Sequence, residues 1–587
     1  MPSLSKRRPE FSGLDHGPDA QENNILMYVN GRMAGLRVYR YSWWVHWREL
    51  ADYILPRRYK WLITPNQASR GSPINQHILD STGTLAARNL ASGMMSGISS
   101  PTRPWFKLKI GRIDSTQTSP ISLWLAECER LLMLIFQESN FYNSLAILYF
   151  DLVVFGTATM IIYEDFDNVV CCYNPCAGEY FVENNGKLLV STLAREFTLT
   201  TGQVVDEFGF ENSSPAVQQL FEQNTGASLS KEWIIGHIIE PNNDGRDFGV
   251  PRSFKWREVY WEIGQASGSG GQGRNHVLRV RGYHEQPFMA PRWDLVSNDS
   301  YGRSPAMDAL PDVRQLQQEV KRKAQAIDKQ VNPPMVADAQ LKNQPASLLP
   351  GGVTYIAGMM NQGKSPGFAP VYQVQPQLQH MLEDLNEVRD RIKRIFYNDL
   401  FQVASQYETR SNVTAVEWDM RKAESLVMLG PVLERLQGEL LAPAIDRVFA
   451  IAARAGVLPP PPQEIQGAGI NIEYISMLAV AQAAAQASGI ERVLGLAGNI
   501  AGIDPSVMDN IDIDYAFDKY SSLMNNDPKM IRSPEQLQAV RQMRQQQQAA
   551  QQQAAMAEQL AKSAKNLAET PTGAGQTALT QMLGTSP

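Results

Sequence analysis

The sequence predicts an α+β protein that is mainly helical. Long stretches in both halves of the chain repeat apolar residues every three or four positions, which is the spacing of an amphipathic helix. Residues from about 157 to 199 instead form short apolar runs typical of strands, and Asn185-Gly186 between two of these runs predicts a hairpin turn. Two long helical segments in the second half bracket about forty residues of strand and turn composition.

The first elements follow from local signals. Residues 1–24 are expected to be a disordered arm, and a helix is expected from Ile25 until Pro56 ends it. The apolar face of that helix is formed by Trp43, Trp44, Trp47, Leu50 and Ile54. We interpret this aromatic cluster as core and not as a ligand cage. A second helix is expected over 81–98, where small residues permit close packing and "SSPTRP" stops the helix.

Beyond the hairpin, short helices are expected over 200–209 and 214–223. Two further strands are expected around 256–263 and 276–283, and they flank "GQASGSGGQGRN". This Gly/Ser tract has no Lys-Ser/Thr pair and no helix after it. We therefore interpret it as a flexible hairpin loop and not as a nucleotide-binding loop.

Two long helices dominate the middle of the chain. The first is predicted to start at Pro311, a good first helical residue, and to end before Asn332. The second begins at Pro376, and each helix would be roughly 30–40 Å long. Their apolar seams are Val313, Leu316, Val320, Ala324, Ile327 and Val331 on the first, and Leu378, Met381, Leu382, Leu385, Val388, Ile392, Ile395 and Phe396 on the second. The pair would form a stalk with a small tip, and its charged faces either contact solvent or line a channel.

The last third is again helical. Thr414 and Glu417 fit a capping box that starts a helix, and Pro431 and Pro443 predict kinks or restarts within it. "VLPPPPQE" is a rigid linker, and more helices are expected from about 475 to 523. The Gln/Ala-rich end has too thin an apolar stripe for a stable isolated helix, so it either bundles with copies of itself or stays disordered.

The stretch "GMMNQGKS", from Gly358 to Ser365, fits the phosphate-binding pattern G-x-x-x-x-G-K-[ST]. A P-loop requires a helix that begins at the lysine, but Pro366 follows Ser365 directly and disfavours helical geometry there. No acidic strand end of the Walker B type accompanies the pattern. We interpret the match as accidental, so that Gly358, Gly363, Lys364 and Ser365 bind no nucleotide.

Composition excludes several function classes. A net charge of −6 gives no sign of a globally basic DNA-binding protein, although it permits a local basic ring. Cys128, Cys171, Cys172 and Cys176 lack the paired C-x-x-C spacing of a zinc site. No apolar run approaches the roughly 20 residues that span a bilayer, and no signal peptide is evident. We expect a soluble cytoplasmic protein at synthesis, with no catalytic centre, no metal and no cofactor.

Several segments resemble portal proteins, the head-to-tail connectors of short-tailed, podovirus-type bacteriophages. The matching segments are Leu90–Leu108, Tyr283–Val320, and "TAVEW" at Thr414–Trp418 together with the "LGPVLERLQGELLAPAIDRVF" that follows. The family more often has Thr where Val416 stands and Val where Trp418 stands. The matches run in order over about residues 25 to 545.

The resemblance implies a portal-type fold with an α/β wing, two long stem helices, a small α/β clip, a helical crown and a C-terminal helical barrel. Its segments would be the arm 1–24, wing 25–302, first stem helix 303–331, clip 332–375, second stem helix 376–401, tunnel loop and wing helix 402–460, crown 461–533, barrel helix 534–568 and flexible tail 569–587.

The resemblance also implies a ring of twelve copies at one capsid vertex of the virion, assembled in the host cytoplasm. Double-stranded DNA would pass through the ring without sequence specificity. Further partners would be the terminase large subunit, a tail adaptor or tail tube protein, and the major capsid and scaffolding proteins, with no membrane. Two alternatives remain: a P-loop NTPase, and a capsid assembly protein without a channel.

The candidate functional residues fall into three groups. The DNA-channel candidates are Lys321, Arg322, Lys329, Lys393 and Arg394. The tunnel-loop candidates are Gln406, Tyr407, Glu408, Thr409 and Arg410. The clip-interface candidates are Tyr355, Met359, Met360 and Lys364.

Overall fold

The computed structural model of the chain describes most of its regular elements. The described residues are 19–56, 77–110, 120–243, 248–264, 275–331, 335–337, 368–370, 378–398, 430–462, 470–474, 477–501, 510–523 and 534–569.

Helices account for most of these residues and form two groups along the chain. The helices of the first half are α1 Asp19–Tyr53, α2 Thr82–Ile98, α3 Pro120–Glu138, α4 Phe141–Phe155, α5 Thr201–Phe208, α6 Pro215–Glu222, α7 Gly226–Leu229 and α8 Pro305–Val331. The helices of the second half are α9 Leu378–Ile395, α10 Gly430–Leu436, α11 Ala442–Arg454, α12 Met477–Ala501, α13 Ile513–Leu523 and α14 Pro534–Glu569.

The strands lie mainly between α4 and α8. They are β1 Phe106–Ile110, β2 Met160–Asp165, β3 Val169–Tyr173, β4 Tyr180–Asn184, β5 Val190–Thr200, β6 Glu232–Pro241, β7 Trp256–Ile263, β8 His276–Tyr283, β9 Phe288–Met289, β10 Met335–Ala337, β11 Phe368–Pro370 and β12 Ile470–Tyr474. The prediction of a mainly helical α+β protein is therefore confirmed.

The chain divides into two compact units. The first combines Met1–Lys107, Arg130–Leu458 and Ile472–Gln482. The second combines Leu108–Glu129, Pro459–Asn471 and Ala483–Pro587. The larger unit contains the main sheet and the two long central helices, and the smaller one contains most of the C-terminal helices.

The centre of the larger unit is an antiparallel sheet in the order β4-β5-β6-β7-β8. Side chains alternate between its faces, and both faces are covered. One face carries Ile238 and Val259 against α1, and the other carries Ile235 and Tyr260 against α5 and α6. This three-layer arrangement gives the sheet region a core that the single chain completes by itself.

Helix α1 starts earlier than the sequence predicted. Residues 19–24 are helical, so their assignment to a disordered arm is wrong for that part. The reason is tertiary: the Glu22 carboxylate accepts a hydrogen bond of 3.0 Å from the backbone N–H of Val277 on β8. The core interpretation is confirmed for Trp47, which is fully buried and whose indole donates to the Phe155 carbonyl over 3.1 Å, whereas Trp43 and Trp44 are only partly buried.

The hairpin predicted at Asn185-Gly186 is confirmed between β4 and β5. Its loop runs over residues 185–189. The Asn185 side-chain oxygen accepts from the backbone N–H groups of Lys187 and Leu189, at 2.9 and 3.1 Å. Leu188 adopts a positive φ of 61° to close the loop. The side-chain amide, and not glycine freedom alone, therefore shapes this turn.

A buried polar network crosses the sheet. Arg195 Nε donates to His237 Nδ1 over 2.8 Å, and His237 Nε2 lies 2.8 Å from Glu258 Oε1. The Tyr283 hydroxyl donates to the other Glu258 oxygen over 2.9 Å. Burial lowers the pKa of His237 to about 4, and protonation of Nδ1 would also cost the bond from Arg195.

The helical segment that ends at Arg454 changes hydrogen-bonding pattern where a proline was expected to disturb it. Gln437–Leu441 forms one turn of π-helix immediately before Pro443. Glu439 in that turn accepts from the backbone N–H of Arg292 at 3.0 Å and from its Nε at 3.2 Å. Arg292 is fully buried and also donates to Asn184 over 3.0 Å. This ion pair fixes the π-turn onto the sheet region.

In the smaller unit, α12, α13 and α14 are joined by polar contacts. Tyr520 of α13 donates to Glu491 of α12 over 2.5 Å. Arg541 of α14 donates to both oxygens of Asp514 of α13, at 2.8 and 2.7 Å. The part of α14 beyond Arg541 is solvent-exposed as far as residue 566. Among the described helices, we find none with the length and apolar character needed to cross a membrane.

Candidate functional site

The two long central helices, α8 and α9, form an antiparallel hairpin. Arg391 near the end of α9 lies 3.6 Å from Asp312 near the start of α8. At the opposite end, β10 and β11 pair antiparallel, with Met335 opposite Pro370. We call the end with Arg391 and Asp312 the base of the hairpin, and the end that leads to β10 and β11 its tip. The stalk with a tip that the sequence predicted is present.

Helix α8 starts at Pro305, six residues before the predicted start at Pro311. Ser304 caps it, because the Ser304 hydroxyl accepts from the backbone N–H of Met307 over 3.2 Å. Pro311 is therefore in the second turn of the helix. Sequence reasoning chose the later proline, although a serine followed by proline is itself a helix-start signal.

The base half of the hairpin is packed into the larger unit. The seam residues Val313 and Leu316 of α8 and Val388 and Ile392 of α9 are fully buried. Helix α2 approaches α8 closely at Gly83, where a Cβ would lie 3.1 Å from Val313. The predicted seam is therefore a true packing surface in this half.

A polar junction at Asp80 orients both helices. The Gln317 side-chain oxygen accepts from the backbone N–H groups of Leu79 and Asp80, at 2.7 and 2.9 Å, and its amide donates to the Asp80 carbonyl. The Asp80 carboxylate accepts from Arg389 over 3.0 and 2.7 Å. Burial alone would raise the pKa of Asp80, but hydrogen bonds from Thr82 and Arg389 lower it below its ordinary value.

The tip half of the hairpin differs from the base half. Ile327 and Val331, which belong to the predicted seam of α8, are 39% and 79% exposed, and Leu382 of α9 is 41% exposed. Within one chain the seam is therefore covered only near the base. The exposed seam residues form an apolar strip without a covering element among the described residues.

The five channel candidates all lie on this hairpin at different heights. Lys321, Arg322 and Lys329 are exposed and form no ion pair with any described residue. Lys393 is half-buried and contacts Asp390 over 3.1 Å, and Arg394 is exposed. At 1.5 Å per residue, Lys329 lies about 12 Å nearer the tip than Lys321.

Sequence reasoning missed three acidic residues at the middle height. Glu383, Asp384 and Glu387 of α9 are exposed. Glu383 lies 3.5 Å from His380, one turn earlier. Their cluster was visible in the sequence as "EDLNE", but its height relative to the lysines of α8 required the antiparallel packing.

The remaining candidates lie outside the described residues. These are the tunnel-loop candidates between 406 and 410, the clip candidates Tyr355, Met359, Met360 and Lys364, and the whole of "GMMNQGKS". The first described residues after that motif are Phe368–Pro370, which form a strand.

Comparison with known proteins covers nearly the whole chain. The family described as "Bacteriophage head to tail connecting protein" matches residues 28–531. The chain is 41% identical over 523 residues to the "Probable portal protein" of Bordetella phage BPP-1, which covers 89% of this chain and 90% of the relative. It is 40% identical over 545 residues to the "Portal protein" of Salmonella phage epsilon15, which covers 92% and 95%.

Proposed function

The chain belongs to the bacteriophage head-to-tail connecting protein family, and we propose that its copies form a ring at one capsid vertex through which DNA is packaged and ejected. The structural observation that supports a conduit is the α8–α9 hairpin. It is rigidly anchored at its base, and it carries exposed cations without ion-pair partners among the described residues. Rings of such hairpins would surround a central channel.

A ring multiplies each side chain by the number of copies, for which we propose twelve. Lys321, Arg322, Lys329, Lys393 and Arg394 then supply belts of positive charge at separate heights. DNA has to slide, so a few weak belts between acidic residues serve it better than one tight phosphate site. The function is mechanical and electrostatic, and it requires no cofactor.

The other proposed contacts follow the same architecture. The segment 332–375 at the tip is the proposed clip, which contacts the terminase large subunit and later a tail adaptor or tail tube protein. Residues 25–302 form the proposed wing, and the helices after 461 form the proposed crown and barrel. Gln406–Arg410 is the proposed tunnel loop that narrows the channel. Major capsid and scaffolding proteins surround the ring during assembly in the host cytoplasm.

Electron microscopy of the purified protein tests the conduit. We expect closed rings with a central hole and a countable symmetry. Closed particles without a hole would favour the alternative of a capsid assembly protein without a channel. Monomers under all solution conditions would contradict the proposal.

A nucleotide hydrolase is the second alternative. The strand at Phe368–Pro370 stands where a P-loop needs the first turns of a helix, which supports the accidental interpretation of the Gly358–Ser365 pattern. We expect the purified protein and its Lys364→Ala variant to show the same background rate of ATP hydrolysis. Turnover that depends on Lys364 would overturn this assignment.

Neutralising the channel cations tests the electrostatic mechanism. In the rings, Lys329→Gln with Arg394→Gln is expected to weaken the association of linear DNA and to reduce its salt dependence. The matched control is Arg252→Gln with Lys255→Gln, two exposed cations of the sheet region. Equal salt dependence in both variants would contradict a role for these cations in the channel.

A further inference from the structure

The two helices of the hairpin carry opposite charges at adjoining heights. The basic cluster consists of Lys321, Arg322 and Lys323 on α8. The acidic cluster consists of Glu383, Asp384 and Glu387 on α9. Arg391 lies beside Asp312, and the two helices run antiparallel. Nine residues along α8 from Asp312 is Lys321, and nine residues back along α9 from Arg391 is Leu382, so Lys321 and Leu382 lie at the same height. At 1.5 Å per residue, the basic cluster lies about 14–17 Å and the acidic cluster about 6–12 Å from the base contact along the hairpin axis, so Lys321 and Glu383 differ by only about 2 Å in height.

These opposite charges do not neutralise each other within one chain. At the base, Arg391 contacts Asp312, and Arg389 donates to Asp80. At the middle height, no ion pair among the described residues joins the basic cluster to the acidic cluster. Lys321 and Arg322 thus remain exposed, and so do the three carboxylates of the acidic cluster, although oppositely charged residues lie on the neighbouring helix. One chain leaves both halves of a complementary surface open.

Helix dipoles do not account for this arrangement. Acidic residues near a helix N-terminus and basic residues near its C-terminus are stabilised, but the effect is confined to about the first and last turn. The basic cluster lies eight to ten residues before Val331, where α8 ends. Glu387 lies nine residues after the start of α9 at Leu378. The charges are therefore placed for a partner beyond the helix itself.

Apolar residues accompany the two clusters. Leu382 is 41% exposed beside the acidic cluster, and Ile327 is 39% exposed one to two turns beyond the basic cluster. Exposed apolar side chains next to complementary charges are the composition of a protein interface with a polar rim.

We propose that the basic cluster of one copy contacts the acidic cluster of the next copy, in a head-to-tail interface between hairpins. The partner is a second copy of this chain, because each copy carries both complementary halves at adjoining heights. A heterologous contact of this kind closes into a ring when its rotation allows it. The inference rests on the proposed ring and deepens it. It assigns Lys321 and Arg322 to the contact between copies and leaves Lys329, Lys393 and Arg394 as the channel cations.

A charge-swap experiment tests the interface. One variant reverses the basic cluster (Lys321→Glu, Arg322→Glu and Lys323→Glu), a second reverses the acidic cluster (Glu383→Lys, Asp384→Lys and Glu387→Lys), and a third carries all six changes. Like charges facing each other across an interface cost several kcal/mol. Each single-cluster reversal is expected to raise the concentration for half-assembly at least about tenfold at low salt. The variant with all six substitutions is expected to restore the concentration for half-assembly to within about threefold of the wild type. Sedimentation and microscopy measure the assembled fraction.

Three results separate the possibilities. The proposed interface is wrong if both single-cluster variants form rings of normal stability, or if the variant with all six substitutions does not recover assembly. Either result would leave the wild-type ring and the proposed conduit unaffected. The absence of rings in the wild type would instead refute the proposed function. Reversal of the exposed pair Arg252 and Lys255 is the control for total charge, and the thermal midpoint of each variant checks its fold. If a reversed variant does not fold, neutral Gln versions of the same cluster are used, which are expected to weaken the salt dependence of assembly.

Discussion

The sheet region and the tip half of the hairpin satisfy their charged groups in opposite ways. In the sheet region, buried Arg292 binds Glu439 and Asn184, and buried Arg257 donates to Glu240 over 2.8 Å. In the tip half, Lys321, Arg322 and Lys329 are exposed without an ion pair to the described residues. The first region is completed by its own chain. The second leaves these charged groups open to solvent within one chain.

The difference has a simple cause in the packing. The sheet is covered by α1 on one face and by α5 and α6 on the other, so its polar groups are cut off from water and need internal partners. The hairpin is covered by α1, α2 and α4 only near its base. Because charges remain hydrated in the tip half, they cost little free energy even without an ion-pair partner.

The largest difference in unfolding free energy between the two regions is expected when a buried arginine of the sheet region and an exposed arginine of the hairpin are each replaced by alanine. Arg292→Ala leaves Glu439, which is 10% exposed, as a nearly buried carboxylate without its cation. Breaking a buried pair in this way costs about 3–5 kcal/mol of unfolding free energy. Arg391→Ala at the base of the hairpin removes a pair whose arginine is 44% exposed, and about 1 kcal/mol or less is expected there.

Urea denaturation of both variants measures these two losses. A double variant with Arg292→Met and Glu439→Leu is the control, since it removes both charges and keeps apolar volume; it is expected to recover much of the loss. Equal losses for Arg292→Ala and Arg391→Ala would contradict the distinction between the two regions.

The next effect concerns pH and the buried network of the sheet. The pKa of His237 is lowered by burial to about 4, below its unfolded value of 6.5. The unfolded chain therefore binds the additional proton first. Stability is complete above about pH 6.5 and falls as the pH decreases toward 4, by roughly 2–3 kcal/mol. The decrease is expected in the wild type and should be smaller in the His237→Gln variant, in which His46, whose pKa is also lowered by burial, still contributes.

The partner of His237 adds a second pH window. Burial would raise the pKa of Glu258, but the hydrogen bond from His237 and nearby arginines lower it to about 2. Its contribution is present above about pH 4.5 and is lost only below that value. Glu258 therefore adds no slope of unfolding free energy between pH 6.5 and 4.5. His284→Gln, at an exposed histidine, is the control and should keep the wild-type slope. An unchanged slope in His237→Gln would refute the assignment.

The sequence predicted the helices and strands better than it predicted the contacts between them. Local signals located the helices over 201–208 and 215–222, the hairpin at Asn185 and the two central helices, because periodicity and turn chemistry act over a few residues. The start of α8 at Pro305 was missed, although Ser304 followed by a proline is itself a local helix-start signal.

The candidate site shows the same limit. The cations of the hairpin were identified from sequence, but the acidic cluster on the other helix was not, because their adjoining heights depend on antiparallel packing across about sixty residues. Similarly, Asp80 and Gln317 are 237 positions apart in the chain, and nothing local links them. Long-range polar pairs of this kind follow from the assembled fold and have no periodic signature.

The smallest effect is expected at the C-terminal helix. Helix α14 is 36 residues long and exposed beyond Arg541, with Met556 and Leu560 about as open to solvent as in an isolated helix. Arg541 of α14 pairs with Asp514 of α13, and both side chains are more than half exposed. Such a solvent-exposed pair contributes little to stability. Truncation before Pro534 should therefore leave the unfolding of the sheet region unchanged and should leave rings intact. Asp514→Asn in the full chain is the control for loss of this pair alone. If the truncated chain fails to assemble while its sheet region unfolds normally, then α14 belongs with the tip half of the hairpin, as a segment that other copies complete.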